Sequence, residues 1–115
     1  MRACKDSWLA TYLEYTKNQE SPTSFHQWVA MAVISTAIGR HIWLDRGYYT
    51  IYPNLFVILV AGSARCKKSS SINIGIQLLR KLKEPPMIFA QKITNEALIQ
   101  ALEDSTKEGA CSGLI

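Results

Sequence analysis

The residues best suited to chemistry lie at positions 62–70 of this 115-residue chain, between an apolar run and an amphipathic segment. Gly62 is followed six residues later by Lys68 and then by Ser69, which matches G-x-x-x-x-G-K-[ST] except that Lys67 replaces the second glycine. In such a loop, backbone N–H groups surround phosphate oxygens, the lysine contacts the β- and γ-phosphates, and the hydroxyl reaches Mg²⁺. The spacing therefore predicts a phosphate-binding loop.

The register of the motif assigns a role to each residue. Lys68 is the expected catalytic residue, and Ser69 is the expected magnesium ligand when ATP is bound. Taking Lys67 as the catalytic lysine fails, because Lys68 would then stand where the hydroxyl belongs. The residues expected to contact the nucleotide are Gly62, Ser63, Ala64, Arg65, Cys66, Lys67, Lys68, Ser69 and Ser70.

Lys67 is the departure from the usual pattern. Glycine tolerates unusual backbone dihedrals and allows the backbone to approach phosphate closely, whereas lysine adds a Cβ at that position. Two outcomes stay open at this point. Either the loop is right-handed at Lys67 and gains a second cation, or it binds phosphate poorly.

The segments around the loop predict an α/β fold. Leu55–Ala61 is seven apolar residues without alternation, which is typical of a strand covered on both faces of a parallel sheet. An amphipathic helix is expected from Ser69 to Lys83, with its positive N-terminal end at the loop. Further strands are expected at 87–90 and 109–115, with a helix at 95–105 capped by Thr94 between them. This alternation favours right-handed parallel crossovers.

Two helices and a hairpin are predicted before this core. The first helix covers residues 7–17, with Asp6 or Ser7 as its cap, and the second ends at Gly39. Ser21 or Ser24 is the expected cap of the second helix, with Pro22 in its first turn. Residues 40–53 alternate around Gly47 and are expected to form two short strands.

Charge and cysteine content narrow the class of protein. The net charge is +4, yet residues 47–83 contain no Asp or Glu and carry +6, which suits an anionic ligand such as phosphate or nucleic acid. Cys4, Cys66 and Cys111 form no metal-binding spacing, so free thiols in a reducing cytoplasm are expected. The start of the chain lacks a signal peptide's apolar core, and no apolar run reaches membrane-spanning length. A cytoplasmic protein without membrane contact is predicted.

Two longer stretches carry a family resemblance. "GRHIWLDRGYYTIYPNLFVILV" and "ITNEALIQAL" resemble the N-terminal part of a family of phage and mobile-element P-loop proteins, usually described as replicative helicase or primase-helicase proteins. The resemblance extends from about Trp8 to Ile115. It implies a RecA-like ATPase core that binds ATP and Mg²⁺, with DNA as a partner of the full-length protein and a hexamer as a possible assembly.

The resemblance also implies a division and a truncation. Residues 1–46 would be an N-terminal helical segment packing on the core, and residues 47–115 the first part of the core. In that family the acidic pair that holds Mg²⁺ and polarises water follows the last strand seen here, so the domain would be incomplete. We expect weak nucleotide binding and no turnover by these residues alone.

Alternatives to an ATPase stay open. A degenerate loop could serve a DNA- or protein-binding module without hydrolysis, and a small-molecule kinase could use the same loop. The favoured hypotheses for other residues are structural: a surface or interface role for His26 and His41, core positions for the tryptophans, and a packed hairpin face for Tyr48, Tyr49 and Tyr52 rather than stacking on a base.

Overall fold

The computed structural model describes residues 7–62, 67–89, 93–107 and 113–114. Its helices are α1 (Trp8–Thr16), α2 (Thr23–Ile38), α3 (Lys68–Arg80) and α4 (Asn95–Lys107). Its strands are β1 (Leu44–Asp45), β2 (Thr50–Ile51), β3 (Met87–Ile88) and β4 (Gly113–Leu114).

Local capping signals place most helix ends correctly. The Ser7 hydroxyl accepts a hydrogen bond from the Ala10 N–H at 3.2 Å, and the Thr94 hydroxyl accepts one from the Ala97 N–H at 3.3 Å. Gly39 ends α2 with a positive φ of 56°. The prediction of Ser21 or Ser24 as the cap of α2 is wrong, because Pro22 occupies that position and no side chain caps the helix.

The core lies between α2 and α3. Val29 and Val33 on α2 and Leu79 on α3 are buried together. Leu59 and Ile88, which are themselves only partly buried, pack against these three residues. Gly75 on α3 allows the close approach, since a Cβ at this position would lie 2.8 Å from Val29 Cγ1. The two helices are thus held by a small apolar contact with a glycine at its centre.

The predicted hairpin around Gly47 is confirmed. β1 and β2 pair antiparallel, with Leu44 opposite Ile51 and Asp45 opposite Thr50. Gly47 has a φ of 81°, and its N–H donates to the Asp45 carboxylate at 2.8 Å. The turn follows from local chemistry, because glycine accepts positive φ and Asp readily bonds the backbone two residues on.

The predicted fold class, α/β with a RecA-like parallel sheet, is wrong for the described residues. The run Leu55–Ala61 belongs to no strand there, and helices with a small antiparallel hairpin dominate instead. β3 and β4 pair parallel over two residues each, which is too short to form a sheet that helices could cover on both faces. An apolar run becomes a sheet strand only when long neighbours supply its backbone hydrogen bonds, and none of the described strands does so.

The segment 55–61 is extended, with alternating exposure. Phe56, Ile58 and Val60 are 90%, 69% and 82% exposed, while Val57 and Leu59 between them are partly buried. The segment begins at α2, where the Ser35 hydroxyl donates to the Pro53 carbonyl and accepts from the Leu55 N–H at 3.2 Å. One face therefore packs on the helices and the other faces solvent.

The aromatic residues are less buried than the sequence predicts. The tryptophans Trp8, Trp28 and Trp43 are 46%, 47% and 59% exposed, so their prediction as core residues is wrong. Tyr48 and Tyr49 are also largely exposed, which contradicts a packed hairpin face. No helix of the described residues combines the length and apolar character needed to cross a bilayer. The division at residue 46 stays a prediction.

Candidate functional site

The candidate site is the N-terminal end of α3 together with the loop that leads into it. Lys68 is the first residue of the helix and Lys67 is its N-cap. At the other end of the loop, Gly62 directly follows the extended segment 55–61. The predicted contact residues Ser63, Ala64, Arg65 and Cys66 lie outside the described residues. The helix nevertheless starts where the motif requires it.

The first turn of α3 is electrostatically open to an anion. No side chain caps the helix, and its first turn contains no acidic residue. The N–H groups of Lys68 and Ser69 have no acceptor among the described residues. Unpaired N–H groups and the helix dipole together give a partial positive charge at this end. A phosphate oxygen is the kind of acceptor that fits there.

Lys68 folds back toward the start of the loop. Its Nζ donates a hydrogen bond to the Ala61 carbonyl at 3.1 Å, and the residue is half-buried. The Lys68 side chain therefore connects the two ends of the loop, from the first residue of α3 to Ala61, the last residue of the extended segment. A carbonyl is a weaker partner for an ammonium than a phosphate anion, so this contact can be exchanged for a ligand.

The remaining described residues of the motif leave space for a ligand. Ser69 and Ser70 are exposed, and Ser70 donates its N–H to the Lys67 carbonyl at 3.0 Å. Gly62 is exposed, and a Cβ added to it would meet no atom within 4 Å. The packing of the protein therefore does not require a glycine at position 62. A phosphate in close contact with the backbone would require one, because a Cβ would occupy the space of the phosphate.

Lys67 adopts the left-handed conformation, with φ 33° and ψ 50°. It is the one non-glycine residue with positive φ in the described part of the chain. Neither sequence-based outcome foresaw this, since one required a right-handed backbone and the other addressed affinity alone. The lysine keeps the backbone shape that glycine favours, at a cost of about 1–2 kcal/mol for an L-residue.

An apolar cleft of about 550 Å³ adjoins the helix start. Lys68 and Ser69 are polar members of its lining, and most of the others are aliphatic residues of α2, α3 and the extended segment, including Val33, Leu59 and Ile76. A ligand whose anionic end lies at Lys68 would thus have an apolar surface beside it. Pockets of this kind, mostly apolar with a few polar groups, are typical of small-molecule sites.

No protein-family model, curated protein or solved structure matches this chain. The function of the site is therefore argued from the geometry of the residues themselves. Among the described residues, no group of three or more His, Cys, Asp or Glu side chains is placed to hold a metal ion. Ser69 supplies a single hydroxyl, so any Mg²⁺ at this position would be held mainly by the phosphates of a bound nucleotide.

Three polar side chains are buried at positions that the sequence analysis did not predict to be buried, and two of them, Tyr12 and His26, form a neighbouring cluster. His26 on α2 and Ser71 on α3 are 1% and 0% exposed, and within the described part of the chain neither His26 ring nitrogen nor the Ser71 hydroxyl has a hydrogen-bond partner. The Tyr12 hydroxyl on α1 is also buried, without a partner among the residues that the structure describes, and the Tyr12 ring lies 6.4 Å from that of His26. The surface position predicted for His26 is wrong. The available signal was helical spacing, since His26 precedes Val29, Ala30 and Val33 on the buried face.

Burial changes the acid–base behaviour of this cluster. Desolvation lowers the pKa of His26 and raises the pKa of Tyr12, because both shifts favour the uncharged form. His41, in contrast, is exposed in the segment that follows α2. The two histidines therefore do not form the acid–base pair that the sequence could suggest, and His26 acts as a buried neutral group.

Proposed function

We propose that residues 62–70 bind the phosphates of a nucleotide such as ATP, with Lys68 contacting the phosphate oxygens and Ser69 facing the bound Mg²⁺. The observation that carries the proposal is the uncapped N-terminus of α3, whose first turn holds no acidic residue. The Lys68 and Ser69 N–H groups, which have no acceptor in the described part of the chain, and the adjacent ammonium provide donors and positive charge in one place.

Weak binding without hydrolysis is the form of this activity that the described residues support. Lys67 is already ion-paired with Glu20, so its charge is partly committed within the protein. Among the described residues, no cluster of carboxylates stands ready to hold Mg²⁺ or polarise water. ATP hydrolysis by a longer, helicase-like protein of a phage or mobile element rests on the sequence resemblance alone.

Titration of a fluorescent ATP analogue, with and without Mg²⁺, tests the proposal. We expect Lys68→Ala to weaken binding at least tenfold, because it removes the one ammonium already facing the loop. Lys81→Ala is the matched control, since Lys81 is an exposed cation at the opposite end of the same helix. Equal affinity of the wild type and Lys68→Ala would show that the loop assignment is wrong.

Contact with single-stranded DNA is a second candidate that one observation favours. Tyr48 and Tyr49 are 103% and 61% exposed on the hairpin, and the acid-free window 47–83 carries a charge of +6. Exposed aromatic rings beside cations can stack on unpaired bases. Binding of a labelled oligonucleotide should then weaken in Tyr48→Ala and decrease steeply with salt. Salt-independent binding, or none, would rule this function out.

A further inference from the structure

The turn between α1 and α2 contacts the end of the candidate phosphate loop. The Ser21 hydroxyl donates a hydrogen bond to the Lys67 carbonyl at 3.0 Å, although the two residues are 46 positions apart in the chain. Ser21 is buried, with 7% of its surface exposed. The contact is therefore partly shielded from water, and such a hydrogen bond contributes more to conformation than a fully exposed one does.

The residue that receives this bond is the strained one. Lys67 stands in the left-handed region, and its carbonyl accepts from the Ser70 N–H at 3.0 Å as well as from Ser21. The Ser70 bond belongs to the first turn of α3, so the Ser21 bond is the one that comes to this carbonyl from outside the helix among the described residues. Non-glycine residues stay in this region only when the surrounding structure holds them there.

The same turn also contacts the Lys67 side chain. The Glu20 carboxylate pairs with the Lys67 ammonium, and both groups are mostly exposed to solvent. Exposed ion pairs stabilise little, so this pair guides the direction of the side chain more than it fixes the backbone. Of the two neighbours, Ser21 is therefore the residue expected to control the conformation of Lys67.

We infer that Ser21 is a positioning residue of the phosphate site, and that the α1–α2 turn regulates the site through Lys67. This inference rests on the proposed function. The Ser21 bond holds Lys67 left-handed, and that conformation sets where the chain enters α3 and where the Lys68 and Ser69 N–H groups point. If Lys67 relaxes to a right-handed backbone, the peptide unit before Lys68 rotates and its N–H leaves the site.

Nucleotide titration with a fluorescent ATP analogue and Mg²⁺ tests the inference. We expect Ser21→Ala to weaken binding at least fivefold, and Ser21→Thr, which keeps the hydroxyl, to stay within twofold of the wild type. Adding Lys67→Gly to Ser21→Ala should restore binding to within twofold of Lys67→Gly alone, because glycine adopts positive φ without help. Ser24→Ala, an exposed serine early in α2, is the matched control and should have no effect.

The outcomes separate the two claims. If Lys68→Ala leaves affinity unchanged, the proposed function fails. If Lys68→Ala weakens binding but Ser21→Ala does not, or if Lys67→Gly fails to rescue Ser21→Ala, the positioning role fails. A general loss of stability in Ser21→Ala would not be repaired selectively by one glycine in the loop.

A measurement without ligand checks the conformational step itself. The backbone carbon chemical shifts of Lys67 distinguish left-handed from right-handed geometry, and they can be followed by NMR in each variant. We expect these shifts to move toward right-handed values in Ser21→Ala and to stay unchanged in Ser24→Ala. If Lys67 remains left-handed in Ser21→Ala, the inference is wrong regardless of any effect on affinity.

Discussion

Gly75 of α3 lies directly against Val29 of α2: a Cβ at position 75 would stand 2.8 Å from Val29 Cγ1. Val33 closes the other side, with its Cγ2 at 2.9 Å from the same point. Both distances are shorter than real Cβ contacts, and both partners are stiff β-branched residues. The spacing between α2 and α3, and with it the position of the helix that begins the candidate site, therefore depends on the absence of one methyl group.

Gly75→Ala should destabilise the protein despite the better helix propensity of alanine. Overpacking a core costs about 1–3 kcal/mol, and the propensity gain returns about 1 kcal/mol. We expect a net loss of up to about 2 kcal/mol in the free energy of unfolding measured by urea denaturation. Gly75→Ala combined with Val29→Ala should lose less than the two single changes together. A Gly75→Ala variant more stable than the wild type would contradict the close packing.

Gly62→Ala should leave the fold intact and reduce phosphate binding. A Cβ at position 62 meets nothing within 4 Å, so the free energy of unfolding should not fall. A phosphate held against the loop backbone would contact that Cβ, and we expect at least a fivefold loss of nucleotide affinity. The comparison needs one denaturation curve and one titration for each protein. Unchanged affinity would place the phosphate away from Gly62.

Lys67→Gly and Lys67→Ala form a matched pair that isolates backbone strain. Both remove the ammonium and its ion pair with Glu20, but only glycine removes the cost of the left-handed conformation. Glycine at position 67 removes about 1–2 kcal/mol of backbone strain from the folded state. It also costs roughly 0.5–1 kcal/mol of stability, because the unfolded chain gains conformational entropy. Lys67→Gly should therefore unfold at a higher urea concentration than Lys67→Ala. The reverse order would mean that position 67 is not left-handed in solution.

Acid should destabilise the protein through His26. Burial lowers the pKa of His26 below its usual 6.5, so the unfolded chain binds a proton more readily than the folded one. The contribution of neutral His26 to stability is complete above about pH 6.5 and is lost as the pH falls below it. Facing His26 from α1 is Tyr12, which stays neutral throughout this range because its own pKa is raised by burial.

The melting temperature measured from pH 7.5 to 5 checks this. We expect the melting temperature to fall in the wild type and equally in His41→Gln, which removes an exposed imidazole. In His26→Phe the dependence over this range should be much weaker. A His26→Phe profile parallel to that of the wild type would assign the effect to other groups.

The extended segment 55–61 should promote self-association. Its exposed side chains, Phe56, Ile58 and Val60, alternate along an edge whose backbone N–H and C=O groups at residues 56–60 have no partner among the described residues. Such edges pair readily with other chains. Ile58→Lys should lower the apparent mass measured by light scattering at high concentration. Tyr48→Lys is the control, because Tyr48 is even more exposed than Ile58 but lies in the hairpin, whose strands are already paired. Equal masses for all three proteins would contradict the prediction.

The sequence by itself determined the features that short-range chemistry controls. Ser7 and Thr94 accept hydrogen bonds at helix starts, Gly39 ends α2, and Gly47 makes the hairpin turn. Each depends on a residue's own dihedral preferences or on a partner a few positions away, so the letters alone suffice. The start of α3 beside the loop lysine belongs to the same class, since Lys68 opens the helix as the motif requires.

Only the tertiary structure decided which segments meet. The apolar run Leu55–Ala61 reads as a covered strand, yet sheet formation depends on neighbours that its own letters do not specify. Ser21 resembles a helix cap, but its hydroxyl donates to the Lys67 carbonyl instead. His26 resembles a surface residue, yet it is buried, with the Tyr12 ring of α1 beside it. These outcomes depend on contacts between distant parts of the chain. These contacts contribute free energy only when the helices pack together, so a pattern of neighbouring residues in the sequence does not predict them.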